Sequence, residues 1–267
     1  MVQNSRYNSK TIDDQIPREP FSEEVEAIRL RPGEILARLD AKSIAYIPLG
    51  TVEWHGRHNP LGVDLFKADE LCKAVARKLG GIVLPAVYGA ADAHIQNEYG
   101  LHIGMDAFAG FPLVGSYYYV DVPVLVDYIS SIVRNLLDRG TELVVLVCGH
   151  NPPVQRDMMN QVAYRFRKEE RLSRVLSYME FDGLEADSPF AQGDHAGYYE
   201  TSYMMHLKPD LVNLAANDNC INQDLGVGSA EPVSNANASF GEACFTHHVA
   251  GLIQCIDHHY SQLMNQS

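Results

Sequence analysis

Glu53 and His55 stand two residues apart in the segment Pro48-Leu49-Gly50-Thr51-Val52-Glu53-Trp54-His55-Gly56. Asp64 follows at the end of a Pro/Gly-containing loop, Pro60-Leu61-Gly62-Val63-Asp64. Side chains two apart in an extended segment point to the same side, so Glu53 and His55 can converge just beyond a strand end. A carboxylate, an imidazole and a second carboxylate suit a first-row divalent metal. The competing reading makes Asp64 the N-cap of the next helix and leaves Glu53 and His55 solvated. On spacing alone, both readings stand.

Two further clusters bear on the choice. Gly149-His150 directly follows the apolar run Leu143 to Cys148, and ligands of open α/β sheets gather at the carboxyl ends of strands. For a lone histidine there, burial with a hydrogen bond is the better reading. Asp194-His195-Ala196-Gly197-Tyr198-Tyr199-Glu200-Thr201-Ser202 places Glu200 in the first turn of a short helix, with His195 just ahead of it. Alternatively, Asp194 caps that helix and Glu200 lies on the surface. What favours metal is that three clusters of histidine and carboxylate each sit where a strand gives way to a loop or helix.

The elements that must position these residues are legible in outline. Strands are expected at Ser43–Pro48, Ile82–Val87, Leu143–Val147 and Val175–Phe181. Helices are expected at Leu65–Leu79, stopped by Gly80-Gly81, and at Val122–Leu137, stopped near Arg139-Gly140. Another starts at Pro152-Pro153, residues suited to a first helical turn, and runs to about Glu170. A short helix spans Gly197–His206, and a long one, Glu242–Met264, follows a loop-like stretch from Gln223 to Ala238. Gly89 to Tyr119 is irregular, and a connection that long is usually functional or interfacial. Strand–helix alternation implies a mostly parallel sheet with helices on both faces. Residues 1–22 read as a polar N-terminal arm and 23–267 as one domain.

Composition narrows the class of function. The 267 residues are 46% hydrophobic and 21% charged, an ordinary globular balance. A formal charge of −13 argues against nucleic acid or an anionic membrane as partner. The apolar runs are too short to span a bilayer, and the N-terminus lacks a secretory pattern, so a cytoplasmic enzyme is expected. Cys72, Cys148, Cys220, Cys244 and Cys255 show no close pairing, which suggests reduced thiols rather than a disulfide framework.

Taken together, the motifs resemble those of the creatininase (creatinine amidohydrolase) family. Residues 48–64 match its PLG-x-x-E-x-HG segment and PL-x-x-D loop; Cys148-Gly149-His150-Asn151 echoes its NGHGGN; residues 195–202 reproduce HAG-x-x-ETS. The resemblance covers about residues 35 to 210. It implies a three-layer α/β/α sandwich, often a homo-oligomer such as a hexamer, and two divalent ions (zinc, manganese or iron) per subunit. By motif, Glu53, His55, Asp64, His150 and Glu200 would be the metal ligands, with Asp64 the bridge, and His195 the proton-transfer residue; Glu200 would serve catalysis through the second metal.

There are departures. Pro152 stands where creatininase has a glutamate, so the second metal leans on Glu200 or binds weakly. The family's histidine-FPGT substrate loop is replaced by His94, Glu98, His102 and Phe111-Pro112-Leu113. The expected activity is therefore hydrolysis of a non-peptide C–N bond in a small cyclic amide or formamide, by a water held between two metals. Peptide trimming or another lactam opening in a biosynthetic pathway is the first alternative, and a non-catalytic oligomeric binding protein the second. Of the remaining residues, His247-His248 and His258-His259 are expected on a solvated or interfacial helix face. Tyr117-Tyr118-Tyr119 is expected at a subunit contact or pocket rim, and Trp54 beneath the metal loop. His58 and Asp194 are expected to orient ligands.

Overall fold

The protein is described from a computed structural model, which covers residues 15–20, 22–167, 172–191, 193–218, 226–229 and 231–265. Its centre is a parallel sheet ordered β2-β1-β6-β7, from Ile82–Val83, Ile44–Gly50, Leu143–Cys148 and Val175–Met179; β3 (Val87–Tyr88) extends the β2 edge of β1. The register runs Ile44↔Leu143 to Leu49↔Cys148, then Val144↔Val175 to Cys148↔Met179, so β1, β6 and β7 end level with one another.

Alternation along β6 assigns the two faces. Leu143, Val145 and Val147 pack with Ile44 and Tyr46 against α2 (Val63–Leu79) and α8 (Ala238–Met264). Val144, Leu146 and Cys148 pack with Ile47 and Leu49 against α4 (Val122–Asp138) and α5 (Pro153–Arg165). Both faces are thus buried, the usual condition of a parallel sheet, and the α/β/α sandwich expected from the alternation of elements is present. Helix α1 (Pro32–Ala41) covers the β2 edge, and the one-turn helix α7 (Ala215–Asp218) precedes α8. Of the expected N-terminal arm, residues 15–20 and 22 are described, and Arg18 there pairs with Asp40 of α1 at 2.7 Å.

Several boundaries differ from expectation for identifiable reasons. The run 82–87 is two short strands, broken across Leu84-Pro85-Ala86, where proline has no N–H for a ladder. Helix α5 ends at Arg165 rather than near Glu170, its last turn closed by the Phe166 N–H on the Ala163 and Tyr164 carbonyls. Helix α8 begins four residues early because the Asn237 side chain accepts from the Phe240 N–H. The 89–119 connection contains an antiparallel hairpin, β4 (His94–Asn97) with β5 (Gly100–Ile103), and a short helix α3 (Met105–Ala109). Among the described residues, no helix is long and apolar enough to cross a membrane. Cys72, Cys148 and Cys244 are buried free thiols and Cys255 is a half-buried one; Cys220 lies outside the described residues.

Candidate metal centre

The level strand ends put three loops side by side: Glu53 and His55 follow β1, His150 follows β6, and Glu180 follows β7. Asp64, the second residue of α2, is laid against them because two strand-end positions are glycine. A Cβ on Gly149 would sit 2.2 Å from the Asp64 carbonyl oxygen, and one on Gly50 would sit 2.8 Å from the Leu65 nitrogen. Only glycine permits so close a backbone approach. Asp64 does not cap α2, whose N-cap is Gly62; its carboxylate is buried and turned toward the histidines.

All five candidate ligands are buried and meet in one place. His55 Nε2 lies 3.5 Å from Asp64 Oδ1 and 3.5 Å from Glu200 Oε2. His150 Nδ1 lies 3.1 Å from Asp64 Oδ2 and 3.3 Å from Glu53 Oε1. Two adjoining donor groups result, Glu53–Asp64–His150 and His55–Asp64–Glu200, with Asp64 common to both. A third group, Glu53–His55–His195, brings His195 alongside; its ring centroid is 4.4 Å from that of His55.

Glu200 lies in the first turn of α6 (Tyr198–Leu207). Asp194 accepts from the Tyr199 and Glu200 N–H groups, so the helix-capping and ligand-orienting readings of Asp194 coincide. Ala196 adopts φ 53°, a left-handed conformation strained for a residue with a Cβ, and its N–H bonds Glu200 Oε2 at 2.8 Å. His58 receives no ligand; its Nε2 binds the Ala196 carbonyl and Thr201 Oγ1, joining the metal loop to α6.

The imidazole tautomers follow from carbonyl partners, which can only accept. His55 Nδ1 faces the Glu53 carbonyl at 3.2 Å and so carries a proton, which leaves Nε2 as the ring atom aimed into the cluster. His195 Nε2 donates to the Trp54 carbonyl at 2.7 Å, leaving Nδ1 as a base 3.9 Å from Glu53 Oε1. His150 points Nδ1 inward and Nε2 toward Asp92 Oδ2, 3.2 Å away.

The charges call for a cation. Burial works against a charged His55, but Glu200, Asp64 and Glu53 outweigh it and push the imidazole up to about 9. Burial likewise opposes a charged His150, and Glu53, Asp64 and Asp92 raise it well above the usual imidazole range. The carboxylates thus draw protons onto two nitrogens, and a metal binding those nitrogens would release them. His55 Nε2 and Asp64 Oδ2 are buried without a hydrogen-bond partner; leaving such atoms unsatisfied costs about 1–3 kcal/mol each. Buried, orphaned nitrogen and oxygen donors converging with carboxylates fit a divalent ion.

Of four further neighbours, three escaped the sequence reading and one was expected in another role. Lys67, buried in α2, reaches Glu180 Oε2 at 2.8 Å and Glu200 Oε1 at 2.5 Å. Burial lowers its ammonium, but the charges of Glu180, Glu200 and Asp64 outweigh that and hold it well above the usual lysine range. Glu180, desolvated, is raised to about 7 even with Lys67 opposing. The other two are Asp92 and Tyr119, and Tyr119 corrects an expectation. Although Tyr117 and Tyr118 are exposed, the Tyr119 hydroxyl turns inward and donates to Glu53 Oε2 at 2.6 Å. His248 is a second correction. It is fully buried, because α8 packs Cys244, His248 and Leu252 on one inward stripe, and it bonds the Tyr199 hydroxyl at 2.7 Å. Trp54 lies against Gly226. His102, in the replaced substrate loop, bonds Asn97 inside the hairpin rather than facing the centre.

The sandwich and its strand-end donor cluster define an α/β protein whose buried carboxylates and imidazoles could hold divalent metal. More particularly, the chain belongs to the creatininase family, whose sequence profile, described as creatinine amidohydrolase, matches residues 29–256. It is 26% identical over 189 residues to a creatinine amidohydrolase of Pseudomonas putida, covering 64% of this chain and 66% of that protein. It is 25% identical over 197 residues to the 3-dehydro-scyllo-inosose hydrolase of Thermotoga maritima, covering 67% and 55%. It is 26% identical over 177 residues to the mycofactocin precursor peptide peptidase of Mycolicibacterium smegmatis, covering 62% and 58%. The chain thus spans just over half to about two-thirds of these relatives' lengths. A crystal structure of creatininase superposes with TM-score 0.67 at 22% identity, over 88% of this chain and 97% of that one, which establishes the fold. Related solved creatininases include a Zn-Zn form of a mutant and a Mn form, with TM-scores of 0.66 and 0.65. The first matches at 22% identity over 88% of this chain and 98% of that one, the second at 24% over 87% and 97%.

Proposed function

We propose that the protein hydrolyses a non-peptide C–N bond in a small cyclic amide or formamide, using two divalent ions. The ions, zinc, manganese or iron, would be held by Glu53, His55, Asp64, His150 and Glu200. The observation that carries this reading is the convergence of two buried donor groups on the shared carboxylate of Asp64. When bound, such ions lower the pKa of a water between them, polarise the carbonyl and stabilise the developing oxyanion.

The chain's own residues supply the rest. His195 holds its Nε2 proton on Trp54, so its Nδ1 is the atom that takes a proton from water and returns it to the leaving nitrogen. Glu200 presents Oε2 to the cluster while Ala196 and Lys67 hold it in place. Residues 23–267 act as one unit. The unpaired described cysteines suit a reducing, cytoplasmic setting. The exposed apolar residues Tyr99 and Leu101 of the hairpin, Phe108 of α3 and Phe111 just after it suit contact between copies in a homo-oligomer.

Metal content of the purified protein tests the ligand set. About two ions per chain are expected, with Glu53→Gln and His150→Ala each depleted; full occupancy in both variants refutes it. His195→Ala should keep its metal yet lose about 10²–10⁴-fold in turnover. The peptidase relative supports a second reading, cleavage of a short peptide. Offering cyclic amides, formamides and short peptides to the metal-loaded protein decides between the two. A non-catalytic binding role predicts no turnover of any of them.

A further inference from the structure

Residues 226–229 take no part in the proposed reaction, yet each touches a loop that carries it. Gly226 is buried, at φ 67°, and a Cβ there would lie 2.9 Å from Trp54 Cδ1. A Val227 methyl faces Gly56 of the metal loop, 3.3 Å from where a Cβ would stand. Gly228 pairs with His195 as a two-bond antiparallel bridge. The His195 N–H donates to the Gly228 carbonyl at 3.0 Å, and the Gly228 N–H to the His195 carbonyl at 2.8 Å. The Ser229 hydroxyl accepts the Tyr198 N–H at 2.9 Å and faces two acceptors, the Glu231 carbonyl at 2.7 Å and Asp194 Oδ2 at 3.2 Å.

The turn they grip needs holding. Ala196 is alone among the described non-glycine residues in having a positive φ, and such strain persists only where the surroundings over-determine it. From inside the site, the Ala196 carbonyl accepts from His58 and its N–H donates to Glu200, both at 2.8 Å. His195, one residue earlier, is gripped from outside. Gly228 fixes its backbone. Its ring is held through Nε2, at 2.7 Å, by the carbonyl of Trp54, the residue against which Gly226 packs. The side chain is 24% exposed, so core packing alone does not pin it.

We propose that residues 226–229 form a clasp that positions His195, Gly228 setting its backbone and Gly226 seating the tryptophan whose carbonyl fixes its ring. This rests on the reading of His195 as the proton-transfer residue. A proton acceptor works only within hydrogen-bond reach of the group it serves, and the clasp keeps Nδ1 rather than Nε2 turned toward Glu53. Gly228 and Ser229 are positioning residues: their described bonds go to His195, Asp194, Tyr198 and Glu231, not to the five candidate metal ligands.

Two measurements on the full chain loaded with Zn²⁺ test the clasp, both located by mass spectrometry. One is hydrogen–deuterium exchange at the His195 amide; the other is the rate at which diethyl pyrocarbonate modifies the His195 ring. Gly228→Pro removes the N–H that donates to the His195 carbonyl, and both rates should rise about tenfold, the effect expected of losing one hydrogen bond. Ser229→Ala should move them the same way, and Ser229→Thr, which keeps a hydroxyl, should leave them at the wild-type values. Gly228→Ala retains the bridge, its Cβ 3.9 Å from the nearest atom, and should behave as wild type. Zn²⁺ affinity by chelator competition should stay within about twofold of wild type in both Gly228 variants, since groups without shared partners respond independently. Folded Gly228→Pro and Ser229→Ala proteins with wild-type rates overturn the proposal. So does a Gly228→Pro protein whose Zn²⁺ affinity falls as far as its His195 rates rise, because residues 226–229 would then brace the whole centre rather than His195. A His195→Ala variant that keeps full turnover of an amide the wild type hydrolyses refutes the proton-transfer reading itself, a distinct result.

Discussion

Replacing Gly149 with alanine adds one methyl group at the point where β6 ends against α2. That Cβ would lie 2.2 Å from the Asp64 carbonyl oxygen and 3.0 Å from its carbonyl carbon, where real Cβ atoms stay beyond 3.0 Å. The backbones must therefore part by about 0.8 Å, the difference between those distances. Neither side is a flexible side chain that can swing away, so overpacking should cost about 1–3 kcal/mol. At about 2 °C per kcal/mol for a chain of this size, melting of the metal-free protein should fall by roughly 2–6 °C. The displacement also falls on Asp64 and, next in sequence, on His150. A misplacement of about 1 Å near reacting groups costs on the order of 10²-fold in rate, so Zn²⁺ affinity and turnover should drop further than stability alone accounts for. Thermal melting and chelator competition measure the two effects. Gly228→Ala is the control, since its nearest neighbour would be 3.9 Å away. An alanine variant at 149 that melts with the wild type and keeps its Zn²⁺ affinity would refute the idea that glycine there seats Asp64.

Other perturbations test other links. His248 is buried and depressed to about 4, by desolvation first. Between about 6.5 and 4 the unfolded chain takes up a proton that the folded one refuses. Stability should therefore fall as pH drops through that window, by up to about 3 kcal/mol, and the slope should flatten in His248→Gln when melting is followed against pH. Asp92→Ala removes the carboxylate 3.2 Å from His150 Nε2; Zn²⁺ affinity should weaken about 10–100-fold, and an unchanged value would show that Asp92 does not orient that ring. Asn237→Ala removes the cap of α8 and should cost about 1 kcal/mol, seen as a lower denaturant midpoint with unchanged metal content.

The sequence carried the sheet well, because β1 and β6 are uninterrupted apolar runs and glycines punctuate α2 and α4. It carried β2 and β3 less well, since a proline within an apolar run does not announce a gap. The placement of Glu53, His55 and Asp64 was legible because they lie close together along the chain. Glu180 was readable too, had the strand-end rule applied to β6 been carried to β7. Lys67 left a trace, a lone cation on the inward stripe of α2 among Asp64, Ala68 and Leu71. Nothing local singled out Tyr119 from Tyr117 and Tyr118, or marked Asp92. Their contacts with Glu53 and His150 span 66 and 58 residues of sequence, and only the folded chain decides such pairings. His248 was misplaced because a polar side chain suggests solvent, whereas the tyrosines of α6 give it partners inside.

The hairpin region meets the rest of the protein through a small set of polar ties. At its start the Gly89 N–H donates to the Gly50 carbonyl, the Ala91 N–H to Gln155 Oε1, and Asp92 faces His150; at its end Thr51 Oγ1 donates to the Tyr118 carbonyl, the Trp54 N–H to Ser116 Oγ, and Tyr119 to Glu53. Its two strands form a sheet of their own, separate from the central one. Residues 93–115 can thus be exchanged as a cassette, with Gly89–Asp92 and Ser116–Tyr119 kept, without disturbing a strand that leads to a candidate ligand. The surroundings of the candidate centre can therefore be varied while its five candidate ligands stay fixed.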